Sequence, residues 1–227
     1  MTQSVRWSRF PDADTVAAEA VRRILQIAET SLDSRGEFRI VLAGGSTPQR
    51  VYRLLSTCEA DQSHWQLYLG DERCLPVGHP ERNSSMIHEA WLKRGQVPPD
   101  QVHWIPAESG PVQGADSYEK VVREAIPFDL VLLGMGEDGH TASLFPGHKQ
   151  DPDRLVVSVT GAPKPPPERI SLSYGGLANS LNMLVLVTGS GKRSAVTRWR
   201  EGESLPVACL ECAAGVDVLL DEDAWYN

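Results

Sequence analysis

The stretch Phe128 to His148, FDLVLLGMGEDGHTASLFPGH, joins an apolar run to a Gly-rich turn. The run FDLVLLG (128–134) shows no polar–apolar alternation. Such a strand is covered on both faces, which is the mark of a parallel sheet lying under helices. Its neighbours along the chain support that reading. Residues 12–33 place Val16, Ala20, Val21, Ile24, Ile27 and Ala28 at helical spacing, with Asp12 or Asp14 as N-cap. FRIVLA (38–43) is a short apolar strand, and GGSTPQRVYRLL opens a helix with Pro48 at its first position. HWQLYLG (64–70) is a strand that ends in DER, and NSSMIHEAWLKRG (83–95) is a helix stopping at Gly95. VHWIPA is a short strand and GADSYEKVVREAI (114–126) a helix. RLVVSV (154–159) and RISLSY (169–174) are strands flanking the loop TGAPKPPPE, whose Pro-rich part, 163–167, is a stiff connector. GGLANSLN then forms a short helix, MLVLVTG (183–189) a strand, GKRSAVTRWR a helix, and PVACL and VDVLLD closing strands. Strands alternating with helices predict an α/β fold with an open, mainly parallel sheet flanked by helices, as one domain over residues 1–227.

Composition narrows the function. A net charge of −8 over 227 residues argues against a nucleic-acid partner, which needs basic surface. No run approaches the roughly 18 apolar residues of a membrane span, and the start has no signal-peptide core. Cys58, Cys74, Cys209 and Cys212 include a single C-x-x-C with no second pair for zinc, so no metal is expected and a reducing, cytoplasmic setting fits.

In such sheets ligands bind at the carboxyl ends of the strands. Four unusual turns fall there. GMGEDG matches the dinucleotide template G-x-G-x-x-G, but Glu137 and Asp138 would repel a pyrophosphate, and the next strand ends in Thr160 and Gly161 rather than an acidic residue. AGGSTP suits a phosphate better. Gly44 and Gly45 admit close backbone approach, and Ser46 and Thr47 offer hydroxyls and caps at a helix N-terminus; the plain alternative is a tight turn. GDERCLP sets Asp71, Glu72 and Arg73 after a strand, where Arg73 can hold an anion or a developing oxyanion and Asp71 can orient it or act as a base; the alternative is a solvated charged turn. In GEDGHTAS, His140 suits proton transfer, and Asp138 two residues earlier can fix its tautomer. No G-x-S-x-G nucleophile is present, so His140 is expected to activate water; the alternative is a helix cap. GSGKR places Lys192 at a strand-to-helix turn, with Arg169 as a second phosphate partner. The remaining histidines, His64, His79, His88, His103 and His148, read as structural or surface residues. Together the turns describe a site for a small phosphorylated molecule.

Five stretches carry a resemblance: LAGGSTPQRVYRLL, LGDERCLPVGHPERNSSM, FDLVLLGMGEDGHTASLFPG, PPPERISLS and VTGSGKR. In this order they resemble the motifs of the 6-phosphogluconolactonase family, from about residue 15 to VDVLLDEDAW. The resemblance implies a Rossmann-like sheet similar to the glucosamine-6-phosphate deaminase fold. It also implies hydrolysis of 6-phospho-D-glucono-1,5-lactone to 6-phosphogluconate in the oxidative pentose phosphate pathway, with no cofactor and no metal. On that resemblance His140 is the general base, and Gly44, Gly45, Ser46, Thr47, Arg169 and Lys192 hold the substrate and its phosphate. Arg73 lies near the lactone end, and Asp71 and Asp138 are the two candidate carboxylates for supporting His140, a choice the sequence leaves open. Ala43 stands where many relatives have Ser. The expected partner is the phosphosugar lactone alone, with no nucleic acid and no membrane, and the chain is expected to be a monomer or weak homo-oligomer. Two alternatives remain: a glucosamine-6-phosphate deaminase or isomerase, and a non-catalytic sugar-phosphate-binding module. Against the first stand DER in place of DEY and ASLFPG in place of AFNEP. Against the second stands the presence of both His140 and Arg73.

Overall fold

The computed structural model describes residues 4–94 and 96–225. Helix α1 (Ala13–Arg35) shows how local sequence sets the elements. Asp12 caps it by accepting from the Thr15 N–H at 2.8 Å, and Gly36 ends it with φ of 76°. Its inner face of Val16, Ala17, Ala20, Ile24 and Ala28 is buried against the sheet. The remaining helices are α2 (Ser46–Leu55), α3 (Asn83–Ala90), α4 (Pro111–Ala125), α5 (Tyr174–Ala178) and α6 (Arg193–Arg200).

The strands are β1 (Val5–Phe10), β2 (Phe38–Leu42), β3 (Trp65–Leu69), β4 (Asp71–Arg73), β5 (Val102–His103), β6 (Phe128–Gly134), β7 (Val156–Val159), β8 (Arg169–Leu172), β9 (Ser180–Val187) and β10 (Val216–Asp221). Seven of them form one sheet in the order β1-β10-β9-β6-β2-β3-β5, with every pairing parallel. As expected, β6 is buried on both faces: Phe128, Leu130, Val131, Leu132 and Leu133 are wholly inaccessible. From β2 the chain runs outward through β3 to β5, then returns to the other side of β2 as β6. The winding therefore reverses between β2 and β6. A crevice opens at the carboxyl ends of strands at such a reversal. Here those ends carry Gly44–Thr47 and Gly134–His140.

The other three strands make a small antiparallel sheet, β4-β8-β7, in which Asp71 faces Ser171, and Arg73 and Val159 both face Arg169. The chain leaves β3 at Gly70, whose N–H donates to Leu42 O and whose carbonyl accepts from Leu172 N, both at 2.8 Å. RLVVSV and RISLSY thus belong outside the parallel sheet, and DER is itself a strand rather than a turn. Four other readings are corrected. VRWSRF forms the edge strand β1, which charged residues concealed. PVACL is a 3-10 turn (Pro206–Cys209), an apolar run too short to distinguish from a strand by pattern. Leu181 and Asn182 belong to β9, not to the preceding helix. The helix expected over 83–95 ends at Ala90 and gives way to a 3-10 turn at Leu92–Arg94, while Gly95 lies outside the described residues.

Candidate active site

The crevice is a cavity of about 290 Å³, lined by the turns after β2, β6 and β9, by β4, and by Lys164 and Arg169. Beyond β2 the backbone is clamped by buried Tyr52, whose hydroxyl accepts from Ala43 N–H at 2.9 Å and donates to Ala43 O at 2.8 Å. Ala43 contributes backbone alone to this clamp. Gly45, with φ of 104°, is the N-cap of α2 and provides no side-chain cap. Ser46 and Thr47 therefore stand inside the first turn rather than capping a helix that starts at Pro48. Thr47 instead bonds Thr188 through their hydroxyls at 2.6 Å, which ties this loop to the end of β9 and the Lys192 turn. Gly44 has a reason beyond backbone approach to a ligand. A Cβ there would sit 2.1 Å from Asn83 Oδ1.

The turn after β6 is built around His140. Gly136 N–H donates to His140 O at 2.8 Å and Gly139 N–H to Gly136 O at 3.1 Å, with Gly139 at φ of 81°. A Cβ on Gly136 would lie 2.0 Å from His140 Nδ1, so the ring occupies the space that glycine leaves. Of the glycines that mimic a dinucleotide fingerprint, Gly136 makes room for the histidine and Gly139 for the Leu205 side chain. The Asp138 carboxylate lies 2.5 Å from Nδ1, which leaves Nε2 as the ring nitrogen for chemistry. The ring is mostly buried and tilts on Phe145, with centroids 4.8 Å apart. Burial lowers the His140 pKa below its ordinary value, against the raising hydrogen bond and charge of Asp138. For Asp138, burial raises the pKa, but the hydrogen bond and charge of His140 leave it below the usual carboxylate range. An ionised Asp138 thus faces a neutral imidazole near pH 7. Ala142, two residues on, takes φ of 47°, a conformation that costs an L-residue roughly 1–2 kcal/mol. Thr141 Oγ1 on Gly134 O, at 2.8 Å, and Leu144 N on Thr141 O, at 2.9 Å, hold that bend.

The small sheet supplies the opposite wall. Asp71 accepts from Ser143 Oγ at 2.6 Å and from Asn83 Nδ2 at 3.0 Å. It is buried and committed to these partners; of the two candidate carboxylates, Asp138 is the one hydrogen-bonded to His140. Glu72 is wholly buried and accepts from the N–H groups of Arg73, Asn83 and Ser84 at 2.7 to 2.9 Å. It thereby fixes Arg73 and the start of α3 together. Arg73 donates from one terminal nitrogen to Glu81 O at 2.5 Å, while its buried Nε has no partner. A buried donor left open costs about 1–3 kcal/mol. The Arg169 guanidinium is also buried, and donates to the carbonyls of Lys164, Pro165 and Pro166 at 3.0 to 3.1 Å. Burial lowers the pKa of Lys192, and the charge of Lys164 lowers it further, opposed by Glu137 and Asp138.

The candidate catalytic and phosphate-holding residues from the sequence, except Asp138, line the cavity itself, and Asp138 stands behind His140. The sequence reading missed Asn83, Lys164 and Thr188, which line it too. Asn83 stood in plain view inside HPERNSSM. Lys164 was hidden in a Pro-rich loop read only as a connector.

Residues 11–219 match the family model for glucosamine-6-phosphate isomerases/6-phosphogluconolactonase. The chain belongs to that family. A 6-phosphogluconolactonase of Mycobacterium tuberculosis is 37% identical, with 95% of each chain covered. The crystal structure of 6-phosphogluconolactonase from Thermotoga maritima superposes with a TM-score of 0.89 at 28% identity, covering 96% of this chain and 100% of that one. A monomeric glucosamine-6-phosphate deaminase superposes with a TM-score of 0.81 over 96% and 98%, but at 19% identity, so it shares the fold. The expected family and its α/β architecture are therefore found. Among the described residues no helix is long and apolar enough to cross a membrane.

Proposed function

We propose that this chain is a 6-phosphogluconolactonase, opening 6-phospho-D-glucono-1,5-lactone with water to give 6-phospho-D-gluconate. One observation carries the reading: a histidine, oriented by a carboxylate, lines a cavity that also holds Arg73, Lys164, Arg169 and Lys192. Family membership and the full-length match to a 6-phosphogluconolactonase support it.

The phosphate docks between the Gly44–Thr47 loop and Lys192, which the Thr47–Thr188 bond holds side by side. His140 Nε2 takes a proton from water as the water oxygen bonds to the lactone carbonyl carbon. The carbonyl π pair moves to oxygen, and Arg73 stabilises that oxyanion. The intermediate then collapses, the bond from the carbonyl carbon to the ring oxygen breaks, and the imidazolium returns its proton to the ring oxygen. The new carboxyl group loses a proton to solvent. Asp138 holds Nδ1–H throughout and stabilises the transient imidazolium. Asp71 keeps β4 and the Ser143 turn in register rather than exchanging protons. The reaction as drawn needs no cofactor and no partner beyond the substrate, and a monomer or weak homo-oligomer in the cytoplasm suffices.

The test places the protein with the lactone and, separately, with glucosamine-6-phosphate. Accelerated lactone opening without ammonia release is expected. Ammonia release without lactone opening would replace this reading with a deaminase, and neither activity would leave a sugar-phosphate-binding module.

A further inference from the structure

We infer that Lys164 binds the substrate: with Lys192 it holds the phosphate dianion, and Arg169 serves it by fixing the loop that carries it. This rests on the phosphosugar reading of the cavity. Lys164 lies between β7 and β8, in a loop closed at its ends by Ala162 N–H on Pro167 O at 3.0 Å. Pro165, Pro166 and Pro167 have no N–H, so this loop cannot form a hydrogen-bond ladder of its own. Its carbonyls need an outside donor. Arg169 supplies one, bonding the carbonyls of three successive residues, Lys164, Pro165 and Pro166. The guanidinium also lies over Phe145, 5.5 Å from the ring centroid, and Phe145 packs on His140. The loop is thus pinned to the same aromatic that supports the catalytic histidine.

Lys164 itself is less committed. Its ammonium is 3.8 Å from Asp138 Oδ1, and its side chain is 44% exposed. A long, half-exposed pair contributes little, and Asp138 already bonds His140. Lys164 and Lys192 both line the cavity, close enough that the charge of Lys164 disfavours protonated Lys192. Two ammonium groups converging on one cavity repel each other until an anion stands between them. A phosphate dianion matches that arrangement in charge, and the free end of the Lys164 side chain can swing from Asp138 to reach it. Arg169 is then a positioning residue, and its effect on binding passes through Lys164.

Calorimetric titration with inorganic phosphate, 6-phosphogluconate and gluconate tests this on the wild type, Lys164→Met, Lys164→Arg, Arg169→Lys and the Lys164→Met/Arg169→Lys double variant. Lys120→Met, an exposed lysine on α4, is the charge-matched control. Losing one charged contact should weaken phosphate and 6-phosphogluconate binding by roughly tenfold or more. Gluconate binding should be indifferent, Lys164→Arg should restore affinity, and kcat should fall much less than KM rises. Arg169→Lys should weaken the phosphorylated ligands alone but add nothing to Lys164→Met. Unchanged affinity in Lys164→Met relative to Lys120→Met would overturn the proposal, leaving Lys164 as a partner of Asp138. Additive losses in the double variant would make Arg169 a ligand in its own right and overturn the positioning part. If the wild type opens no lactone and binds neither phosphorylated ligand, the phosphosugar reading falls and this proposal with it. A wild type that opens the lactone with unaltered Lys164→Met kinetics sinks the Lys164 assignment alone.

Discussion

Strands β6 and β4 both reach the cavity, and they do so by opposite means. β6 is seven residues long and apolar apart from Asp129, whose buried carboxylate pairs with Arg35 and accepts from Arg39 N–H at 2.8 Å. It presents His140 on a turn that its own glycines shape. β4 is three charged residues, two of them buried, and each is held by groups distant in the chain: Ser143 and Asn83 for Asp71, Asn83 and Ser84 for Glu72. The large sheet is therefore a scaffold from which chemistry projects, while the small sheet is a polar network whose integrity depends on satisfied partners. Changes to the first should remove rate and spare folding; changes to the second should remove stability or substrate affinity.

The largest contrast is expected at His140. Replacing it by Ala should cut kcat by on the order of 10²–10⁴ while leaving the thermal midpoint essentially unchanged. Near-normal turnover would take the base role from His140. Next comes Glu72→Ala, which leaves three N–H groups unsatisfied and Arg82 with Glu108 as its remaining carboxylate partner. Urea unfolding should show a loss of about 3–5 kcal/mol, the scale of leaving several buried N–H groups without an acceptor. A loss of under about 1 kcal/mol, the worth of a surface pair, would erase the distinction between the two sheets. Gly136→Ala sharpens it from the other side. The added Cβ must push the His140 ring aside, and a displacement of that size can cost roughly 10²-fold in rate. The effect should appear in kcat, with lactone affinity kept. The smallest effect is in pH dependence. His140 titrates below its ordinary value because of burial, so the acid limb of kcat/KM should lie below about 6.5. Asp138 favours the charged imidazolium; Asp138→Asn removes that influence, so the limb should move to lower pH as the overall rate falls. Movement to higher pH would contradict the assigned pair.

What could be read from the sequence follows the same division. The periodicity of α1, the apolar run of β6 and the Asp138–His140 pair are local, set by residues within a turn or two of one another. Three of the four strand-end turns were legible because a parallel sheet puts its loops on one face; the fourth, DER, is strand β4. The small sheet was not. Asp71, Glu72 and Arg73 have no apolar pattern, and only pairing with β8 makes them a strand. Asp71 meets Ser143 across 72 positions, and no spacing rule reaches that far. Lys164 required knowing that Arg169 folds its loop back toward the cavity. The role of Gly44 was visible only in part: flexibility could be read from the residue type, but the Asn83 amide that fills its missing side chain could not.

The central claim is that the cavity between β2 and β6 opens a phosphosugar lactone with water activated by His140. It is tested most directly by generating the lactone in place with glucose-6-phosphate dehydrogenase and following product with 6-phosphogluconate dehydrogenase. The spontaneous opening rate is the baseline. Strong acceleration by the wild type that disappears in folded His140→Ala is the predicted result. A folded wild type that leaves the spontaneous rate unchanged would contradict the account.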